Sequence, residues 1–371
     1  MNIIYQDILK FLSKKPSKEE LSERLFQLGH EHEINGEIFD FELTPNRGDC
    51  LSVLGIARDL NVFYGNSKSI RVYEGEIDEL DIDFLNLSPE DCPQISFLEI
   101  EIEDEISSYR NYLENYFVSL GLNKTNFFTD ISNYISYELG QPTHCFDKKR
   151  LKNKLQFENK ECNQKFRTLL GSDVELSGKN CVFSNDNEII SLAGLMGGES
   201  TSCSSTTRKV LIECAYFKPE SIIGKSVKYN LVSDAAHKFE RGVDIESQEY
   251  ALRRFIEVIQ DHANIKSAKL KSFISKDFKH LTISLDENKI NKILGIELSK
   301  DDYVNYLKDL GFLVSDCIQV PSFRHDIKSQ NDLAEEIARV IGYNNFKNTP
   351  ISFNNNNNET KINRIAALEN F

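Results

Sequence analysis

Five stretches hold the side chains whose types and spacing could do chemistry. In Lys209–Phe217, KVLIECAYF, one carboxylate, Glu213, interrupts an apolar run. Taking a carboxylate out of water without a partner costs roughly several kcal/mol. Glu213 is therefore either paired with a cation such as Arg241 or kept for a ligand. In Asp130–Asp147, DISNYISYELGQPTHCFD, the polar groups Ser132, Asn133 and His144 stand among apolar neighbours, and Gly140-Gln141-Pro142 forces a turn between them. Read alone, His144 is also what a hydrogen-bonded structural histidine looks like. In Ser191–Ser200, SLAGLMGGES, Gly194, Gly197 and Gly198 let the backbone approach something closely. The stretch matches neither G-x-x-x-x-G-K-[ST] nor G-x-G-x-x-G, so a tight strand-to-turn connection accounts for it equally. In Ser233–Asp244, SDAAHKFERGVD, Ser233, Ala235 and Ala236 adjoin a charged cluster, and Ser233 could simply cap a helix.

The fifth stretch is Pro321–Gly342, PSFRHDIKSQNDLAEEIARVIG. Asp332, Glu335 and Glu336 stand at i, i+3 and i+4, a spacing that predicts one shared helix face, opposite Leu333, Ile337 and Val340. Asp326 lies one turn earlier. Clustered carboxylate oxygens suit Mg²⁺. An acidic first turn complementing the helix dipole is the competing reading.

The elements that must position these residues are legible in outline. Ser17 and Glu20 predict a capping box before a helix carrying Leu21, Leu25 and Leu28, closed by Gly29. Phe39, Phe41 and Leu43 alternate with acids, the period of a half-buried strand. Thr44-Pro45-Asn46-Arg47-Gly48 then turns the chain, with Asp49 expected as the cap of a helix whose stripe is Val53, Ile56, Leu60 and Phe63. This makes a small α+β unit over 1–72. A mixed region follows over 73–280, including the alternating FLEIEIE at 97–103. A third unit over 281–350 runs strand, helix, a helix capped by Ser299, strand and final helix. Residues 351–371, with an Asn run at 354–358, read as a linker toward a further part of a longer protein.

A chain of 371 residues exceeds one ordinary core, so two or three domains are expected. Hydrophobic residues at 40% and charged residues at 27% are those of a globular protein. No apolar run is long enough to span a membrane, and the N-terminus carries an acid and lysines within its apolar part, unlike a signal peptide. The eight cysteines form no C-x-x-C pair and read as reduced thiols of a cytoplasmic protein. A net charge of −14 argues against DNA or RNA binding through a broad basic field, so any RNA contact must be local or made by a partner.

The order of the motifs is more specific than any one of them. LTPNRGDCLSVLGIARDL, ISNYISYELGQPTHCFD, LAGLMGGES, VLIECAYF, SDAAHKFERGVD and PSFRHDIKSQNDLAEEIARVIGYNNF together resemble the β subunit of bacterial phenylalanyl-tRNA synthetase over about residues 1–350. The resemblance implies an α+β multidomain chain: an N-terminal structural domain, an editing-type domain like the B3/B4 module, and a B5-like domain ending in the acidic helix. The Thr-Pro-Asn-Arg turn then belongs to a packing module, not a catalytic loop.

The resemblance also implies function. The assembly attaches phenylalanine to tRNA(Phe) with ATP, its aminoacylation chemistry lying in an α subunit of an α₂β₂ enzyme. This chain would hydrolyse tyrosine wrongly esterified to tRNA(Phe). Glu213 would receive the tyrosine hydroxyl, and His144 would help position water. Ser132, Asn133, Gly197, Gly198, Ser233 and Ala235 would line the pocket, and Asp326, Asp332, Glu335 and Glu336 would hold Mg²⁺. The chain departs from the family in lacking the RNA-binding-like OB insertion, with Glu33-Ile34-Asn35-Gly36 bridging directly, and in lacking the C-terminal half. Ser132 replaces a usual threonine, Cys145 an alanine and Lys238 an arginine. A structural subunit with a degenerate pocket and a free-standing aminoacyl-tRNA deacylase are the alternatives.

Overall fold

The computed structural model describes residues 1–347 apart from 66–68, 104, 107 and 153. The expected linker at 351–371 lies outside the described residues. The N-terminal unit is a three-stranded antiparallel sheet, Asn2–Ile4, Ile38–Glu42 and Glu31–Asn35 with the second in the middle, flanked by helices Tyr5–Phe11, Lys18–Gln27 and Val53–Tyr64. Ser17 caps the second helix, its Oγ accepting from the Glu20 amide at 3.2 Å. The third helix is capped by Ser52, not Asp49: Ser52 Oγ accepts from the Gly55 amide at 2.9 Å. Asp49 is taken by Arg47, whose guanidinium donates to both carboxylate oxygens at 2.9 Å. A charged fork outcompetes the weaker helix-end amides.

The central region stacks two five-stranded sheets. The first orders Asp78–Glu79, Ile265–Ile274, Gln94–Ile102, Lys209–Tyr216 and His144–Asp147. The second orders Met196–Gly197, Glu188–Leu192, Lys179–Asn185, Lys154–Glu161 and Asp83–Asn86. Phe97, Phe146, Phe157, Phe183 and Phe217 fill the space between them. On the outer face of the first sheet lie helices Asn111–Ser119, Phe127–Leu139 and Gln248–Gln260, and their core runs without a break into that of the N-terminal unit, from Ile3 to Ile259. Strand Lys209–Tyr216 is therefore buried on both faces, which is why it reads as an apolar run rather than an alternating one.

The third unit is a three-stranded sheet, Thr282–Ser284, Cys317–Gln319 and Leu313–Val314, under helices Glu287–Leu294, Lys300–Asp309 and Gln330–Ile341. A buried chain of charges joins it to the Thr44–Gly48 turn. Asp59 accepts from Arg47 at 3.0 Å, from Arg339 at 2.9 Å and meets His30 Nε2 at 2.7 Å. Glu336 accepts from Arg339 and Arg324, both at 2.6 Å. Arg58 stacks on Phe323, 3.4 Å from the ring centre.

Candidate functional site

Glu213 and His144 are direct cross-strand partners in the antiparallel pair of Lys209–Tyr216 with His144–Asp147. Opposed residues share a face, here the one that carries Phe146 and Leu211 toward the space between the sheets. The turn Gly140–Pro142 starts this short strand after helix Phe127–Leu139, so one segment supplies both a cleft wall and His144.

The two side chains open into a pocket of about 70 Å³, also lined by Pro142, Thr143, Ser191, Gly194 and Ala235. Past Thr143, Met196 and Gly197 it meets an outer cleft of about 390 Å³. Ser132, Asn133 and Ser233 line that cleft, and His144, Gly197 and Ala235 line both compartments. The structure thus brings together all the expected pocket residues except Gly198. Gly198 is spent on backbone packing: a Cβ there would stand 2.6 Å from the Ile190 carbonyl oxygen. Ser132 is also partly spent, its Oγ lying 2.6 Å from the Thr143 carbonyl oxygen and 2.8 Å from the Thr143 hydroxyl. Gly197 is required by the site itself, because a Cβ there would sit 2.3 Å from His144 Cε1.

The electrostatics are unusual in having so few partners. Glu213 is 4% exposed, and Arg241, its expected counter-ion, bonds His237 instead. Burial alone pushes the Glu213 carboxyl up to about 8. Burial likewise pushes the His144 imidazole down to about 4, and its Nε2 is buried with no hydrogen-bond partner. Near pH 7 the pocket therefore offers a mostly protonated carboxyl, able to donate and accept, beside a neutral imidazole.

Sequence reasoning did not reach Thr143, Leu169, Leu170, Met196 or Cys203 as lining residues. Thr143 adjoins His144 in the chain and was findable. Leu169 and Leu170 arrive on the separate hairpin Gln164–Arg167/Asp173–Leu176 and carried no signal.

The four carboxylates expected to share Mg²⁺ do not converge. Among the described residues no three of them bring oxygens within 4.8 Å of one another. Glu336 faces inward, where burial would raise its carboxyl but Arg324 and Arg339 hold it down at about 2. Asp326 is clasped by Arg324 at 2.8 and 2.9 Å. Asp332 closes the capping box, accepting from the Lys328 and Ser329 amides at 2.8 Å, and Glu335 is exposed. Helix spacing placed these residues on one face, but Arg339 one turn along the same helix and Arg324 just before it already neutralise the buried ones. As this chain alone arranges them, these four residues do not close around a single magnesium ion. His30, Cys50 and Asp59 do cluster, yet Arg47 and Arg339 fill the space a cation would need.

Residues 92–264 match the B3/4 domain family and residues 283–343 the tRNA synthetase B5 domain family. The phenylalanine–tRNA ligase beta subunit of Methylococcus capsulatus is 32% identical over 84% of this chain and 40% of the relative. That of Carboxydothermus hydrogenoformans is 33% identical over 85% of this chain and 41% of the relative. An N-terminal fragment of the Pyrococcus horikoshii phenylalanyl-tRNA synthetase beta subunit aligns over 92% of this chain and 99% of its own, at 15% identity and a TM-score of 0.49, too distant to carry residue roles. The chain spans about 40% of the length of the curated relatives it matches. Among the described residues, no helix is long and apolar enough to cross a membrane. With both domains in order and 84% of its length aligned, the chain belongs to the family of the phenylalanine–tRNA ligase beta subunit.

Proposed function

We propose that this chain works in the cytoplasm beside an α subunit and tRNA(Phe), in an assembly that attaches phenylalanine to tRNA(Phe) with ATP, and that its cleft clears tyrosine wrongly esterified to that tRNA. The observation that carries the reading is the pair Glu213 and His144, opposed across two strands at the end of a pocket, with Glu213 buried and the buried Nε2 of the half-buried His144 without a hydrogen-bond partner. A synthetic pocket shaped for phenylalanine cannot strongly reject a ring that merely adds a hydroxyl. A second site that must satisfy that hydroxyl can. A tyrosine hydroxyl hydrogen-bonds the Glu213 carboxyl, whereas phenylalanine leaves that buried carboxyl without a partner, a penalty of about 1–3 kcal/mol.

No side chain of the cleft is an activated nucleophile. The thiols of the buried Cys145 and the half-buried Cys203 are both held well up by burial and serve as wall. Water therefore attacks the ester carbonyl, the bond to the tRNA ribose oxygen breaks, and that oxygen leaves with a proton. The orphan His144 Nε2, with backbone groups near Gly197, orients the reacting groups. With a chain charge of −14, tRNA anchoring falls to local contacts or to the partner.

The test is to charge tRNA(Phe) with tyrosine and follow its release by the α subunit alone and with this chain added. Release that depends on this chain supports the reading. Equal release leaves a structural subunit, and equally fast release by this chain without α identifies a free-standing deacylase.

A further inference from the structure

Helix Asp234–Arg241 begins at the cleft, and one of its residues is out of keeping with its position. Lys238 is 1% exposed. Its sequence spacing from Asp234 is that of an ordinary surface i, i+4 pair, but its ammonium is sealed inside. All three of its donors are used: the Ser136 carbonyl oxygen and the Ser136 hydroxyl, both at 2.8 Å, and Asp234 Oδ2 at 2.7 Å. Ser136 Oγ donates in turn to Asp234 Oδ2 at 2.9 Å. Its one carboxylate partner, Asp234, is itself 62% exposed, so the buried charge is half-compensated from the surface, and stability alone does not call for a lysine where an apolar side chain of similar volume often serves as well.

The closed triangle ties two cleft walls. Ser136 lies one turn beyond Ser132 and Asn133 on helix Phe127–Leu139, and all three line the cleft. Asp234 lies between Ser233 and Ala235, which line it from the opposite side. Ser233 pins the same helix start to the glycine-rich turn, donating to the Leu195 carbonyl oxygen at 2.8 Å while capping the Ala236 amide at 3.0 Å. We propose that Lys238 is a positioning residue, fixing the helix start that carries Ser233 and Ala235 at a set distance from the wall that carries Ser132 and Asn133. Its catalytic consequence rests on the reading of this cleft as the hydrolytic site.

The experiment compares Lys238→Met, which keeps the volume and removes the donors, with Lys238→Arg, which restores them. In the full chain, hydrogen–deuterium exchange of amides 236–239 is expected to rise about tenfold in Lys238→Met, with the thermal midpoint within a few degrees and exchange elsewhere unchanged. With the α partner, KM for Tyr-tRNA(Phe) is expected to rise about tenfold while kcat stays within twofold. Lys238→Arg should return both toward wild type. A folded Lys238→Met with wild-type exchange at 236–239 overturns the proposal. Faster exchange spread over the whole chain overturns it too, since that marks general destabilisation. Should Lys238→Met not fold, Ser136→Ala removes one corner of the triangle and must give a smaller effect in the same amides, or the proposal fails. Local exchange that rises while wild type releases no tyrosine refutes the hydrolytic reading and leaves the positioning role standing.

Discussion

Glu213 is the buried carboxyl of the pocket, and its burial can be measured without any tRNA. A carboxyl raised from the usual 4.5 to about 8 by burial binds its proton more tightly folded than unfolded. Its contribution to stability is full below pH 4.5 and is lost as the pH rises toward 8. Glu213→Gln removes that dependence. Urea unfolding at pH 5.5 and pH 8.5 should show wild type losing about 3 kcal/mol more than Glu213→Gln over this interval; parallel losses would mean that Glu213 has a partner or reaches water. His144 runs the other way: its imidazole, lowered to about 4, favours the fold above pH 6.5 and loses that contribution as the pH falls toward 4. Comparing the two Glu213 forms cancels it. Both residues were legible in the sequence because each is polar within an apolar segment. Lys238 was not, because an Asp-Lys pair at i, i+4 on a short charged helix reads as a solvated face, and only the fold brings Ser136 against it.

At the scale of the element, glycine and cap positions test how the segments hold the site. Gly197→Ala places a Cβ 2.3 Å from His144 Cε1 and 2.8 Å from Nε2, so the ring must move. Overpacking of this kind costs about 1–3 kcal/mol, and tyrosine release should fall further than stability; unchanged release would show that the His144 position is immaterial. At the opening turn, Ser52→Ala should cost about 1 kcal/mol as a lost cap. Asp49→Ala should cost more, because it leaves the buried Arg47 guanidinium short of an acceptor. Thermal unfolding of the two variants orders them, and equal shifts would return the cap to Asp49. The strand, turn and helix here were visible in alternation and turn chemistry, but which oxygen caps the helix was not, since the sequence does not show that Asp49 pairs with Arg47. How the acidic helix is arranged was hidden for the same reason. Spacing placed Asp332, Glu335 and Glu336 together, while Arg324 and Arg339 decided that Glu336 turns inward. Magnesium added to the chain should therefore leave its thermal midpoint unmoved, and a saturable rise lost on Glu336→Gln would restore the metal site.

Across the whole molecule, Asp59 is the joint. It lies at the meeting of the N-terminal unit and the third unit, with Arg47 on one side and Arg339 on the other. Asp59→Asn leaves two buried guanidinium groups short of an anion, and breaking a buried pair from one side costs about 3–5 kcal/mol. Trypsin should then cut sooner at Lys276 and Lys279, exposed between the central region and the third unit; unchanged cleavage would show that the units are held by apolar packing alone. The order of motifs made the family legible, but not the continuous core from Ile3 to Ile259, because long-range packing leaves no local pattern. The proposed hydrolysis resides in the cleft, and the most direct measurement is hydrolysis of Tyr-tRNA(Phe) and Phe-tRNA(Phe) by the α-containing assembly carrying wild type, Glu213→Ala or Ala235→Trp. Glu213→Ala should slow tyrosine release roughly ten- to a hundredfold, at about 1.4 kcal/mol per decade, with phenylalanine release low and nearly unchanged, and Ala235→Trp should block both by filling the pocket. Tyrosine release that survives Glu213→Ala intact, in an assembly whose wild type edits, would make Glu213 a structural carboxylate and contradict the account.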